Sequence, residues 1–170
     1  MMTGRYDKYV REAKKRGILD AIVIQPSDIF FDIRANLKCD WGCERQPAAN
    51  AKCDNRGTTP EQRVAMVKRY EAILLLHSQD AGLLSHVILE LEKEAFLDGH
   101  YFAFALRYCN LCEDCLEEKG KECPHPDKVR PCEGLFGIDV YKTARKLDLP
   151  CQVLKSREET QNRYGFLLIE

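Results

Sequence analysis

The sequence predicts an α+β fold: one domain on a mostly antiparallel sheet, with helices packed on it and two cysteine-rich metal-binding loops. Three observations carry this. The elements run helix, two strands, two helices, strand, cysteine loop, helix, two strands, an order that lacks the regular alternation of a parallel α/β sheet. The 170 residues suffice for a single core. Eight of the nine cysteines fall in two stretches, about 39–53 and 109–132, where apolar periodicity lapses.

The elements follow in order. Arg5 to Gly17 reads as a charged helix, with Tyr6, Tyr9, Val10 and Ala13 near one face and Gly17 as its stop. Ala21 to Gln25 is short and β-branched, a strand; Pro26-Ser27-Asp28 is a turn, and Ile29 to Ile33 would return as a second strand of a hairpin. Residues 39–53 then read as a loop. Thr59 is a good helix cap, with Pro60 at the first helical position and Gln62 completing a capping box, for a helix to about His77. A second helix runs from Ala81 or Leu83 to Asp98, with Leu84, Ile88, Leu91 and Ala95 as its apolar stripe and Gly99 as its end. Glu90, Glu92, Lys93 and Glu94 read as its solvated face, and His77 and His86 as packing or surface residues. His100 to Tyr108 is rich in aromatics and reads as a strand buried on both faces, delivering the chain to Cys109. Glu133 to Gly137 suggests a short helical turn, Asp139 a cap for a helix to Leu147, and Cys151–Lys155 and Tyr164–Ile169 a final pair of strands.

Charge and composition narrow the function. Net charge is -1, from 26 basic and 27 acidic residues, so no bulk electrostatic argument points to nucleic acid or an anionic membrane. The first residues show no apolar signal core, and the longest apolar run is too short to span a bilayer. The expectation is a cytoplasmic protein, where disulfides are rare; an odd cysteine count also leaves one thiol over. Metal thiolates are therefore the reading for the cysteines. There is no Ser-His-Asp signature and no phosphate-binding glycine loop.

The chemistry concentrates in Cys109-x2-Cys112-x2-Cys115, followed by Cys123-Pro124. Three thiols at this spacing turn inward around one polynuclear centre, as in the ferredoxin run that also ends in Cys-Pro, though the gap before Cys123 is longer here. Structural zinc more often uses two separated cysteine pairs, so a [4Fe–4S] cluster is preferred and zinc is the alternative. Cys39, Cys43 and Cys53 form a second, less specific set that lacks a fourth thiol. Cys132 or Cys151 completes it if the fold brings one close; otherwise one iron stays open. Cys53 lies ten residues after Cys43, which departs from the radical-SAM spacing. His125 is weighed as ligand or donor to a cluster sulfur against a turn residue, and the turn is favoured. Lys128 and Arg130 would offset cluster charge or sit in solvent, and Trp41 would shield a cluster from water.

These residues resemble a family of predicted metal-binding proteins of unknown function found in archaea and anaerobic bacteria. The resemblance covers nearly the whole chain and is most specific at Cys109, Cys112, Cys115, Cys123-Pro124-His125-Pro126, Arg130-Pro131 and Gly137-Ile138-Asp139-Val140, with Leu37-Lys38-Cys39, Cys43, Cys53 and Thr59-Pro60-Glu61 fitting earlier. Asp54-Asn55 departs from the prolines of the family pattern, and Cys132 from a small hydroxyl residue. The resemblance implies metal binding and offers Cys39, Cys43, Cys53, Cys109, Cys112, Cys115 and Cys123 as ligands. The resulting expectation is one or two [4Fe–4S] clusters serving electron transfer or a redox enzyme, with a partner protein, and with neither nucleic acid nor membrane. The alternatives are an enzyme with a three-thiolate cluster and an open iron, of the sulfur-transfer or desulfuration type, and a zinc-stabilised binding module. The sequence is compatible with a homodimer.

Overall fold

The computed structural model describes residues 4–43 and 52–170. Among these, α1 (Asp7–Lys15) leads into β1 (Asp20–Ile24), and a 3₁₀ turn at Pro26–Asp28 follows. Next come α2 (Ile33–Gly42), α3 (Pro60–Lys68), β2 (Ile73–Ser78) and α4 (Ala81–Leu97). Beyond these lie β3 (Phe104–Leu106), α5 (Val140–Lys146) and β4 (Arg163–Leu168). The strands form one antiparallel sheet in the order β1-β2-β4-β3. The fold is α+β with an antiparallel sheet and helices against it.

Helices cover both faces. On one, Ala21, Leu74, Leu76, Ala105 and Leu167 pack against Tyr9 and Ala13 of α1 and Leu84, Ile88, Leu91 and Ala95 of α4. On the other, Ile24, Ile73, Leu75, Leu106, Phe166 and Leu168 meet Val67 of α3, Ala144 of α5 and the loop residues Ile29, Phe136 and Ile138. Because consecutive strand residues point to opposite faces, a strand covered on both must be apolar throughout. Every residue of β2 is buried.

This corrects the helix expected from Thr59 to His77. Its start is as expected: Thr59 accepts from the Gln62 amide and Gln62 returns the bond, with Pro60 at the first position. The helix ends at Lys68, and Ile73-Leu74-Leu75-Leu76 continues as the central strand β2. A short unbroken apolar run suits a doubly covered strand better than the face of a helix.

The expected hairpin does not form either. Phe31 makes one isolated antiparallel bridge to Ile138. Asp32 then accepts from the Arg34 amide and starts α2, a cap that commits the following residues to helix. Cys39 therefore lies on a helix, Cys43 caps its C-terminal end, and Cys53 sits in a turn. The remainder of the loop expected there, residues 44–51, lies outside the described residues. The strand expected over His100–Tyr108 is confined to Phe104–Leu106, and Tyr101 and Phe102 are exposed. Cys151–Lys155 is not a strand; β4 pairs instead with β2 along its whole length and with β3 over Phe166–Leu168. Asp139 does cap α5, accepting from the Lys142 amide.

Candidate metal centre

α4 is the platform for the second cysteine stretch. Ser85 and Glu92 are seven residues apart, two turns along one face. The Ser85 hydroxyl accepts from the Asn110 amide at 3.1 Å and donates to the Tyr108 carbonyl at 3.4 Å, gripping the chain on both sides of Cys109. The Glu92 carboxylate accepts from the Ala105 amide at 2.6 Å and from Arg130 Nε at 2.9 Å, with a second guanidinium nitrogen on its other oxygen. One helix thus fixes the chain on either side of Cys109–Cys123. Glu92 is not part of a solvated face, and Arg130 is neutralised by it rather than free for a cluster. The clue in the sequence was the spacing, since Glu92 stands one turn after Ile88 of the apolar stripe.

The first stretch is held by the turn after Cys132. Asn36, one turn before Cys39 on α2 and itself buried, donates to the Leu135 carbonyl at 2.7 Å. Arg63 of α3 donates to the same oxygen at 2.6 Å. The turn 134–136 ends at Gly137 with φ +72°, where an added Cβ would lie 2.9 Å from Asn36 Oδ1. A side chain there would push away the residue that holds α2 in place.

These anchors bring four thiols from three segments into one neighbourhood. The Cys132 thiol lies close enough to the Cys39 sulfur to act on it, and Cys43 and Cys53 are near enough for their charges to act on Cys39 as well. The neighbouring Cys132 thiol lowers the Cys39 pKa against burial and its acidic neighbours. Cys132 moves up, held protonated by the Cys39 sulfur beside it and by burial. Cys151 stands elsewhere, packed with the core beside α5.

The second group is Cys109, Cys112 and Cys115, whose charges act on one another. Burial raises the Cys109 pKa, while the Leu111 amide, bonded to its sulfur, and the Lys52 ammonium work the other way. Cys123 receives a hydrogen bond from the His125 amide at 3.4 Å, and Cys132 one from the Leu135 amide. His125 therefore acts through its backbone. Lys128 shares a small recess with Cys109 and Arg130. Trp41 is 88% exposed and shields nothing among the described residues.

Sequence reasoning missed Lys52. This lysine is almost fully buried next to Cys53, and its ammonium interacts with the Cys115 sulfur. Its ammonium also lies 3.4 Å from the Tyr108 hydroxyl, 3.3 Å from Glu118 Oε1 and 4.8 Å from the centre of the Tyr108 ring. Burial disfavours the charge, but Cys115 and Tyr108 outweigh it, and the pKa is raised. One cation therefore ties the two cysteine groups together. Lysine beside cysteine in an irregular stretch gave no signal of this.

Among the described residues no three histidine, cysteine or acidic side chains stand close enough together to hold a metal ion. The thiols are gathered and paired with protons, amides and Lys52. Metal binding draws such groups together as it displaces thiol protons. Soft thiolates, amide donors to sulfur and a buried cation form a donor set suited to zinc or an iron–sulfur cluster. No described helix is long and apolar enough to cross a membrane.

No curated protein and no solved structure matches the chain. The family described as predicted metal-binding protein (DUF2284) matches residues 22–169, which span both cysteine groups and all of the sheet except the first two residues of β1. With thiols gathered in two groups and the match running through both, the chain belongs to this predicted metal-binding family.

Proposed function

We propose that the protein is an iron–sulfur electron carrier, or a redox enzyme's accessory, with two four-thiolate [4Fe–4S] sites. One would use Cys109, Cys112, Cys115 and Cys123, and the other Cys39, Cys43, Cys53 and Cys132. The observation that carries this is the closeness of Cys132 to Cys39, with Cys43 and Cys53 acting on the same sulfur, which offers the first group a fourth thiol. Such clusters supply one-electron redox couples. The chain's own residues would tune them: amides of Leu111, His125 and Leu135 donate to sulfur, and Lys52 offsets thiolate charge. A redox partner protein and a cytoplasmic setting belong to this reading.

The test is iron, acid-labile sulfide and zinc per chain after anaerobic purification. The parent should carry about eight iron and eight sulfide, and Cys132→Ser about four of each. Unchanged iron in Cys132→Ser removes Cys132 from the ligand set. Stoichiometric zinc without sulfide overturns the iron–sulfur reading.

A second reading is favoured by one cavity. A space of about 290 Å³ beside Asp54 is lined by Arg56, Arg63 and Arg130 and lies between the loop after Cys53 and the loop before Cys132. Asp54 and Asp127 also line it and Arg130 is held by Glu92, so Arg56 and Arg63 are the cations that an anionic substrate of an open-iron enzyme would meet there. In that case Cys132→Ser would keep its cluster, and an added anionic ligand would alter the cluster's absorption.

A further inference from the structure

Two buried polar side chains with unpartnered atoms, Glu133 and Arg107, stand together beside the thiol groups. Glu133 is 8% exposed, and its Oε1 has no hydrogen-bond partner among the described residues. The nearest cation is the Arg107 guanidinium, whose Nη1 is 3.9 Å away, beyond hydrogen-bond reach. Arg107 is equally buried; its Nη2 donates to Asn110 Oδ1 at 3.1 Å, but its Nε is unpartnered. Leaving a buried charged group without a bond costs more than a bond is worth, so such pairs are normally completed by water or a ligand.

Both residues line a cavity of about 150 Å³, together with Cys151, Gln152, Tyr141 and Arg163. That volume is about the size of a cavity that holds benzene, room for a compact molecule or about five waters at roughly 30 Å³ each. Its chemistry is asymmetric. One arginine can accept a carboxylate, and one carboxylate needs a donor close by. Glu133 and Arg107 are too far apart to satisfy each other but near enough for adjacent groups of one small molecule to bond both. Val140, Leu154 and the Cys151 thiol provide a soft wall for a short side chain.

We propose that this cavity binds a small α-amino or α-hydroxy acid. Its carboxylate accepts from Arg107, whose Nε is unpartnered, and its α-substituent donates to Glu133. The cavity wall includes Glu133, the residue after Cys132, and Arg107, two residues before Cys109, so a bound acid adjoins both cysteine groups. The proposal stands whether those groups hold iron–sulfur clusters or zinc.

The test is isothermal titration of the intact protein, as purified, with L-alanine, L-lactate, acetate and methylamine. L-Alanine or L-lactate should bind, with acetate and methylamine weaker by about tenfold or more, the loss of one charge-assisted hydrogen bond. The first two probes distinguish an ammonium from a hydroxyl donor. Glu133→Gln, which keeps the shape of the side chain, should weaken the preferred acid by a similar factor. The comparison among probes on the unmodified protein stands even if that variant misfolds. Equal binding of all four probes, no heat from any at about 10 mM, or full affinity in a folded Glu133→Gln overturns the proposal and leaves the cavity to water.

Discussion

Cys132 and Glu133 are neighbours in sequence with separate tasks. The thiol closes on Cys39, while the carboxylate turns to Arg107 and the cavity beside Cys151. Glu92 works at the same scale. It is the one carboxylate that receives both the β3 amide of Ala105 and the guanidinium of Arg130. Glu92→Ala would strand a mostly buried guanidinium and a backbone donor together. It should lower unfolding free energy by about 3–5 kcal/mol, the cost of breaking a buried ion pair by removing one partner. Urea unfolding measures this, and a loss below about 1 kcal/mol would make the pair a surface contact.

At the scale of elements, β4 is closely packed against α4. An added Cβ at Gly165 would lie 3.0 Å from Ile88 Cδ1 and 3.5 Å from Arg107 Cδ. Gly165→Val should therefore cost about 1–3 kcal/mol through overpacking. It should also weaken acid binding beside Arg107, while a matched surface variant changes neither. Unaltered denaturant midpoints would show that Ile88 yields freely. The elements also explain what could be read from the sequence. α1, α4, α5 and β4 were legible because capping residues, glycine stops and apolar stripes agree with their final surroundings. β2 was not, because Ile73-Leu74-Leu75-Leu76 fits a helix or a strand until both faces of the sheet are known to be covered. Residues 29–33 misled for the opposite reason: Ile29 and Phe31 pack on the core from a loop while Asp32 starts a helix. The cysteine groups were visible as spacing. The closeness of Cys39 and Cys132 was not, since it depends on Asn36 reaching a turn that lies 99 positions further on.

Across the whole molecule, carboxylates fasten distant parts. Asp28 accepts from the Gln25 amide and from Lys146 of α5, and these bonds lower its pKa despite burial. Asp98 accepts from Lys8 and from Tyr9 of α1 and is lowered by both. A carboxyl with a folded pKa below its unfolded value of about 3.9 adds stability above that value and loses it as pH falls through the folded one. Unfolding midpoints should thus drop below about pH 4. Asp98→Asn and Asp28→Asn should each flatten the drop. Identical pH profiles for the variants and the parent would assign the acid sensitivity to other groups.

The strand order has a temporal side. β4 lies between β2 and β3, which do not pair with each other, yet it follows all nine cysteines in sequence. The pairing of Leu75 with Phe166 joins residues far apart in the chain, the kind of contact that forms slowly. As the ribosome extends the chain, every thiol emerges before the strand that unites the sheet. The cysteines therefore stand on an unfinished scaffold until β4 pairs with β2 and β3.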